Sequence, residues 1–295
     1  MSATPDLAAT DDTASRQVEG HFVEDGFIII RNAISPELSA RIQEQIVRSL
    51  SAAIGEKIDG MTADFEATYA RLVASNLAER SPYDMLAPIW KDLLYHNFPR
   101  DMFLSEKLYN QFLRLIGPDI CYLDDTPLTI NLPGVDSPLE NYLFKKYHQE
   151  LWSGASVNTI QFWTPLVQRG PGGQLVVIKG SHLWGHIPHR NREPLEFPPD
   201  YEEVRTDLNV GDAIIFHTLL LHRSDPMPAD SLPRIGFPCL LKNFKIPNGS
   251  FEIYKNWKIL AYSDLSLVDR KLGNHYLSPF RLVGAPPHKF TGGIF

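Results

Sequence analysis

Residues 145–163 read KKYHQELWSGASVNTIQFW, and they place His148 and Glu150 two positions apart in a run with the character of a strand. Successive side chains on a strand point to opposite faces, so residues i and i+2 point the same way. Two Lewis bases then converge on one point, which is either a metal site short of a partner or a polar strand end. The surrounding sequence decides between them. Short β-rich runs broken by Gly and Pro follow residue 118: ICYL (120–123), LTINL (128–132), YLFKKYHQE (142–150), NTIQFWTPL (158–166), GQLVVIKG (173–180), DAIIFHTLLLH (212–222) and RIGFPCLLKNF (234–244). Several short strands separated by turns indicate a sandwich or barrel.

Before residue 118 the pattern is mostly helical. In ISPELSARIQEQIVRSL (34–50), Ser35 is an N-cap and Pro36 the first helical residue, and Leu38, Ile42, Ile46 and Leu50 recur at helical spacing. Residues 63–80 and 104–117 also read as helices, the second stopped by Gly117, and GFIIIRN (26–32) reads as a short strand. NWKILAYSDLSLVDRKL (256–272) reads as a late helix. The expected organisation is mainly β with flanking helices. A disordered acidic tail is expected at 1–14, before one domain over 15–295, with a helical layer mainly at 15–117, a β-core mainly at 118–247, and a C-terminal helix and tail at 248–295.

Composition excludes several roles. A chain of 295 residues, 43% hydrophobic and 21% charged, can bury a full core. Its longest apolar runs, such as FIII and AIIF, fall far short of a membrane span. A net charge of -7 with no basic cluster argues against nucleic acid as a partner. Cys121 and Cys239 stand far apart with no CxxC, so neither a disulfide framework nor a zinc ribbon is indicated. Residues 1–14 lack the basic start and apolar core of a signal peptide. The expectation is a cytoplasmic monomer or homodimer acting on a small molecule.

A third metal partner should lie on a later strand, and GDAIIFHTLLLHRSDP (211–226) offers His217 and His222. On an unbroken strand the two would face opposite ways, so only one can look into the core. His222 ends the run, where the chain opens into a loop, and sites favour such places. Two histidines and a carboxylate on a rigid β scaffold make the facial triad of non-haem Fe(II) oxygenases, with positions left for a bidentate keto acid and O2. The keto acid's far carboxylate then needs a cation. Arg234, twelve residues after His222, supplies a planar fork for it.

At this point the chain resembles the phytanoyl-CoA dioxygenase family of Fe(II)/2-oxoglutarate oxygenases. FVEDGFIIIRNAISPEL is similar to that family's N-terminal strand–turn–helix. YHQE resembles its HQD, FWTPL its Trp-containing strand, GGQLVVIKGSH its Gly-rich strand and PGSH-like turn, and GDAIIFHTLLLHRSDP with RIGF its distal-His and Arg strands. The resemblance implies a double-stranded β-helix (jelly-roll, cupin-like) core, with His148, Glu150 and His222 on iron. It implies Arg234 and Ser224 on the 2-oxoglutarate carboxylate, Trp163 beside it, and O2 as oxidant. The choice of His222 over His217 rests partly on it. Glu150 replaces the family's usual Asp and IKGSH its PGSH turn. Because related halogenases replace the carboxylate with a small residue, Glu150 favours hydroxylation or another oxygen-derived oxidation.

Substrate determinants are thinner. Lys146 shares the parity of His148 and Glu150, while Trp152 and Asn158 sit just beyond them. Together with Arg190, Arg192 and Lys242 they suit a small polar metabolite, natural-product or sugar-like. His182 and His186 have HxxxH spacing, but Gly185, Pro188 and the missing Glu make the segment a loop with surface histidines. Two competing readings are a cupin-like metal-dependent isomerase or hydrolase, which needs no Arg234, and a non-catalytic binding module, for which a damaged triad is expected.

Overall fold

The computed structural model describes residues 18–54, 82–124, 128–131, 145–168, 172–231, 234–246 and 256–272. The tail expected at 1–14 and the helix expected at 63–80 lie outside the described residues. In chain order the first strands are β1 (Val18–Glu19), β2 (Phe27–Ile30), β3 (Ile120–Leu123), β4 (Thr129–Asn131), β5 (Thr159–Val167) and β6 (Leu175–Ile178). They are followed by β7 (His189–Arg190), β8 (Glu193–Pro194), β9 (Glu203–Arg205), β10 (Ala213–His217), β11 (His222–Ser224), β12 (Arg234–Asn243) and β13 (Trp257–Ile259). A large antiparallel sheet runs β1-β2-β10-β5-β12-β3-β13, with β4 also paired to β12, and a smaller one runs β11-β6-β9. The chain passes from the large sheet to the small one between β5 and β6 and again between β10 and β11. It returns at β10 and β12. This alternation between two sheets is the jelly-roll.

Period-2 patterning assigns the two faces of the large sheet. Ile28, Ile30, Phe162, Ile215, Phe237 and Leu241 point outward into the main core. There they meet helices Pro36–Ile54, Pro82–Tyr95 and Glu106–Ile116. Phe103 packs edge-on against Phe162 at 5.2 Å, and Trp90 lies 5.1 Å from Phe237. Aromatic pairs in such geometry add about 0.5–1.5 kcal/mol each beyond their burial. The alternate residues Phe27, Ile29, Trp163, Ile214 and Phe216 point inward, against Leu175 and Val177 of β6. The helices thus cover one face, leaving the space between the sheets for a site. Ser35 caps its helix through a 3.2 Å bond from the Leu38 amide, and Gly117 ends another at φ 79°.

Pro238 sits in mid-strand, where its missing N–H would normally break a ladder. It is tolerated because β12 pairs with β4 only up to Gly236 and with β3 only from Leu241. Between those points one side of the strand has no paired neighbour among the described residues.

Three expectations are corrected. The described part of 142–150 is not a strand: it makes only an isolated bridge, His148 to His222, and Glu150 opens a 3₁₀ turn, Glu150–Ser153. Residues 212–222 are not one strand. The chain turns at 218–221, where the Leu220 amide bonds the His217 carbonyl at 2.8 Å and the Leu221 amide bonds Ser181 Oγ at 2.8 Å. Residues 256–272 are not one helix, since β13 comes first and the helix Asp264–Lys271 starts only after Ser263, whose hydroxyl accepts from the Ser266 amide. β1 and β2 at one end and β13 at the other also join the large sheet, so the β-core extends past 118–247 on both sides. Cys121 and Cys239 are buried and not disulfide-bonded. Among the described residues no helix is long and apolar enough to cross a membrane.

Candidate metal centre

His148, Glu150 and His222 each offer one ligand atom, and these atoms lie within 4.8 Å of one another. The bridge that joins their segments is reciprocal: the His148 amide bonds the His222 carbonyl at 3.0 Å, and the His222 amide bonds that of His148 at 3.1 Å. The two rings are consequently 4.2 Å apart. Each ring is also oriented from behind. His148 Nδ1 bonds the Lys146 carbonyl at 2.7 Å and His222 Nδ1 the Leu220 carbonyl at 3.0 Å. A carbonyl only accepts, so each Nδ1 carries a proton and each Nε2 is left facing the cavity, where it can bind a cation once it is unprotonated. Glu150 Oε1 lies 3.3 Å from His222 Nε2.

Electrostatics favour the metal-ready protonation states. Burial, reinforced by the neighbouring His222, lowers His148 to about 4 despite the opposing pull of Glu150. Burial alone would raise Glu150, but the His222 hydrogen bond and the positive fields of His222, His148 and Arg192 override it and bring the carboxyl to about 2. At neutral pH the centre therefore presents a carboxylate next to a neutral imidazole. Two imidazoles and one carboxylate are a donor set that fits a divalent iron with open positions.

The residue between His148 and Glu150 was not anticipated. Gln149 is fully buried and points away from the cavity, so it keeps the alternation of an extended chain although no strand forms. Its amide nitrogen donates to the Gly185 and Leu219 carbonyls at 2.9 and 2.7 Å, and its oxygen accepts from the Ile187 amide at 3.1 Å. It ties the ligand segment both to the 218–221 turn and to the loop at 185–187. Gln149→Leu should leave these three backbone groups unpaired and cost about 3 kcal/mol or more, since each orphaned buried group costs about 1–3 kcal/mol. Chemical denaturation of the metal-free protein measures it.

A cavity of about 50 Å³ opens in front of the triad, lined also by Gln161, Trp163, Phe216, Ser224 and Thr129. Gln161 and Trp163 are i and i+2 on β5, and the Gln161 side-chain oxygen is buried without a partner. This alternation was available in the sequence, yet it does not distinguish Gln161 from a core polar residue. Arg234 is buried on β12, 4.4 Å above the Trp163 ring. Gly236 makes the stack possible, because a Cβ there would lie 2.4 Å from the Trp163 ring. The Arg234 guanidinium donates to the Gly173 carbonyl and, at 3.3 Å, to Gln174 Oε1, while its Nε has no partner. Burial pushes it down to about 9, so it stays charged at neutral pH. Among the described residues no carboxylate pairs with it. An uncompensated buried cation is costly, and such a site calls for an anion.

The other candidates fall elsewhere. His217 is on β10 with the outward parity of Ile215, beside Phe22 and His182, and its Nδ1 accepts from the Leu219 amide. His182 is not a surface residue as expected: it is buried, bonds the Val23 carbonyl at 3.0 Å and packs where a Cβ on Gly26 would stand. Lys146 points outward into an ion pair with Glu193. Trp152 stacks on His189 at 4.4 Å. Asn158 lies exposed in the turn before β5 and does not line the cavity.

A two-histidine, one-carboxylate centre between the sheets of a jelly-roll defines the class of non-haem iron oxygenases. The family model for phytanoyl-CoA dioxygenase (PhyH) matches residues 22–235. The chain belongs to this family, and it is an Fe(II)- and 2-oxoglutarate-dependent oxygenase. It is 24% identical over 222 residues to the 1-deoxypentalenic acid 11-beta-hydroxylase of Streptomyces arenae, covering 69% of this chain and 71% of that one. The Streptomyces exfoliatus protein of the same name is 23% identical over 217 residues, with the same coverage. Among solved structures, the apo non-heme monooxygenase ThoJ shares the fold, with a TM-score of 0.54 and 19% identity over 85% of this chain and 84% of that one.

Proposed function

We propose that the enzyme hydroxylates a small polar metabolite, that His148, Glu150 and His222 hold the iron, and that Arg234 and Ser224 hold the far carboxylate of 2-oxoglutarate beside Trp163. One observation carries the assignment: a buried arginine that pairs with no carboxylate among the described residues stands on β12, whose Pro238 lines one cavity with the triad. An isomerase or hydrolase of this fold would not need that cation, and a non-catalytic binding module would not need the intact triad. Bound there, iron with 2-oxoglutarate supplies O2 activation, coupled to oxidation of the keto acid to succinate and CO2, for attack on a substrate C–H bond. The chain's own contributions are positional. The Lys146 and Leu220 carbonyls fix the imidazoles, Gln149 fixes the segment between them, and the Trp163 face with the Arg234 fork orients the co-substrate. Phe216 and Leu175 keep the cavity wall apolar and exclude water. The hydroxylases among its relatives support hydroxylation as the outcome. Two buried cysteines kept as thiols suit a reducing, cytoplasmic setting.

Anaerobic addition of Fe(II) and then 2-oxoglutarate tests the reading. A chelated complex of the facial-triad type should give a weak visible band at about 500 nm. If no band forms in the folded, iron-loaded protein, the assignment fails. With substrate in hand, turnover under labelled O2 in the presence of chloride should place one labelled oxygen in the product and no chlorine, because Glu150 fills the position a halide would need.

A further inference from the structure

Hairpin β7–β8 carries a feature that its fold does not require. Its two-residue turn, Asn191 and Arg192, has φ of 52° and 60°, so both residues are left-handed. Such a turn favours Asn followed by Gly, because only Gly takes the second position without a steric cost. Here that position is an arginine. Strain kept at a turn is a starting point for a functional hypothesis, since such residues cluster at sites.

The hairpin is fastened to the segment that bears two of the three metal-centre residues. Glu193 pairs with Lys146, His189 stacks on Trp152, and the Arg192 guanidinium donates to Ser153 Oγ, three residues beyond Glu150. The Arg192 charge reaches both His148 and Glu150. Ser153 occupies one of its five donors, and among the described residues no carboxylate bonds it directly, Glu150 lying within reach of its charge only. The adjacent acid, Glu193, is already neutralised by Lys146. Two nitrogens at the same seam, Trp152 Nε1 and His189 Nδ1, are enclosed without partners. Trp152 Nε1 can only donate. A cation with open donors, next to an unused N–H and on the ring-lined edge of the metal centre, matches an oxyanion attached to an apolar body.

We propose that Arg192 anchors an oxyanion of the primary substrate, so that the enzyme acts on an organic acid, a carboxylate or phosphate monoester, held by hairpin β7–β8 beside the metal centre. This rests on the assignment of the centre above and adds the class of substrate. Arg234 belongs to a different wall, built from β12 and β5, and is left to 2-oxoglutarate.

The test uses full-length protein loaded with Zn(II), which supports no turnover, and saturated with 2-oxoglutarate so that its own site is filled. Benzoate, phenyl phosphate and methyl benzoate are then titrated, with binding read by ligand-observed NMR. Wild type should prefer one of the anions over the neutral ester by about ten-fold or more, as expected for a charge-assisted contact worth at least one decade. Whichever anion binds tighter names the acid. Arg192→Ala should lose the preference and Arg192→Lys keep part of it. Arg192→Gly separates function from folding: it should be at least as stable as wild type, because Gly suits the left-handed turn, yet show no preference. Affinity for 2-oxoglutarate should be unchanged in all three. Equal affinities in wild type, absent binding of every probe, or a preference that survives in Arg192→Gly overturns the proposal. So does a loss of 2-oxoglutarate affinity in Arg192→Gly, which would give the residue to the co-substrate. If wild type itself fails to bind 2-oxoglutarate with metal present, the assignment of the centre is what fails.

Discussion

Alanine at His148, Glu150 or His222, one at a time, is expected to abolish succinate formation in a protein that still folds. The reason is the tightness of the cluster. Its three ligand atoms lie within 4.8 Å of one another, so loss of one leaves two donors, too few for a fixed open-sided geometry. Even outer-shell losses cost about 10- to 100-fold in metal affinity, so loss of a direct ligand should cost more than about 100-fold. Metal-dependent stabilisation gives a readout independent of turnover. At 100 times its dissociation constant a metal stabilises the folded state by about 2.7 kcal/mol, and this increment should vanish in each variant. Glu150→Ala should lose some stability without metal, because its carboxyl, held at about 2, favours the folded state at neutral pH, so the metal increment is read against each variant's own metal-free midpoint. His217→Ala should keep both activity and the metal increment, because its ring faces Phe22 and His182 on the other side of β10. The reverse pattern, activity lost with His217 and kept without His222, would show that the ligand is the other histidine.

Arg234→Ala should bind Fe(II) almost as wild type does but require far more 2-oxoglutarate. Removing one partner of a buried charge pair typically costs about 2–5 kcal/mol, because the other is left unpaired. That corresponds to a weakening of about 30- to several-thousand-fold. The metal-free protein should behave differently. There the guanidinium is a buried charge bonded to the Gly173 carbonyl and Gln174, with an orphaned Nε, so its removal relieves a desolvation cost as it opens a cavity. Stability without ligand should therefore change little while co-substrate affinity collapses. A purely structural arginine would give the opposite result. Arg234→Lys should fall between, with a point charge in place of the fork. Parallel titrations of iron and 2-oxoglutarate, with denaturation of the apo variants, decide it. Unchanged 2-oxoglutarate affinity in Arg234→Ala would transfer the carboxylate to another cation.

Much of the site is legible in the amino-acid sequence alone. The His148–Glu150 spacing, a later histidine at a strand end and Arg234 beyond the turn are local patterns with local causes. The short apolar runs in GFIII, NTIQFWTPL, DAIIF and RIGFPCLL also mark strands buried on both faces, since a strand covered on each side has no polar face to show. The caps at Ser35 and Gly117 are equally local, because an N-cap hydroxyl and a left-handed stop act within one turn of chain.

Only the tertiary structure decided how those pieces meet. His148 and Glu150 share a side through one bridge to His222 and a 3₁₀ turn, not through a continuous strand. The Gln149 side chain that holds this arrangement reaches Gly185 and Leu219, 36 and 70 residues away. His222 rather than His217 faces the cavity because the chain turns at 218–221 and changes sheets, and Ser181 Oγ, 40 residues away, bonds the Leu221 amide in that turn. Parity along one strand cannot express a change of sheet. Likewise, nothing near Gly236 in sequence says that the Trp163 ring lies against it, or that Arg234, once buried, finds no acid among the described residues. A residue's pattern reports the face it must bury. Which distant groups stand opposite that face, and whether a charge meets its counter-charge, depends on contacts between segments far apart in the chain, and those exist only once the two sheets have closed on each other.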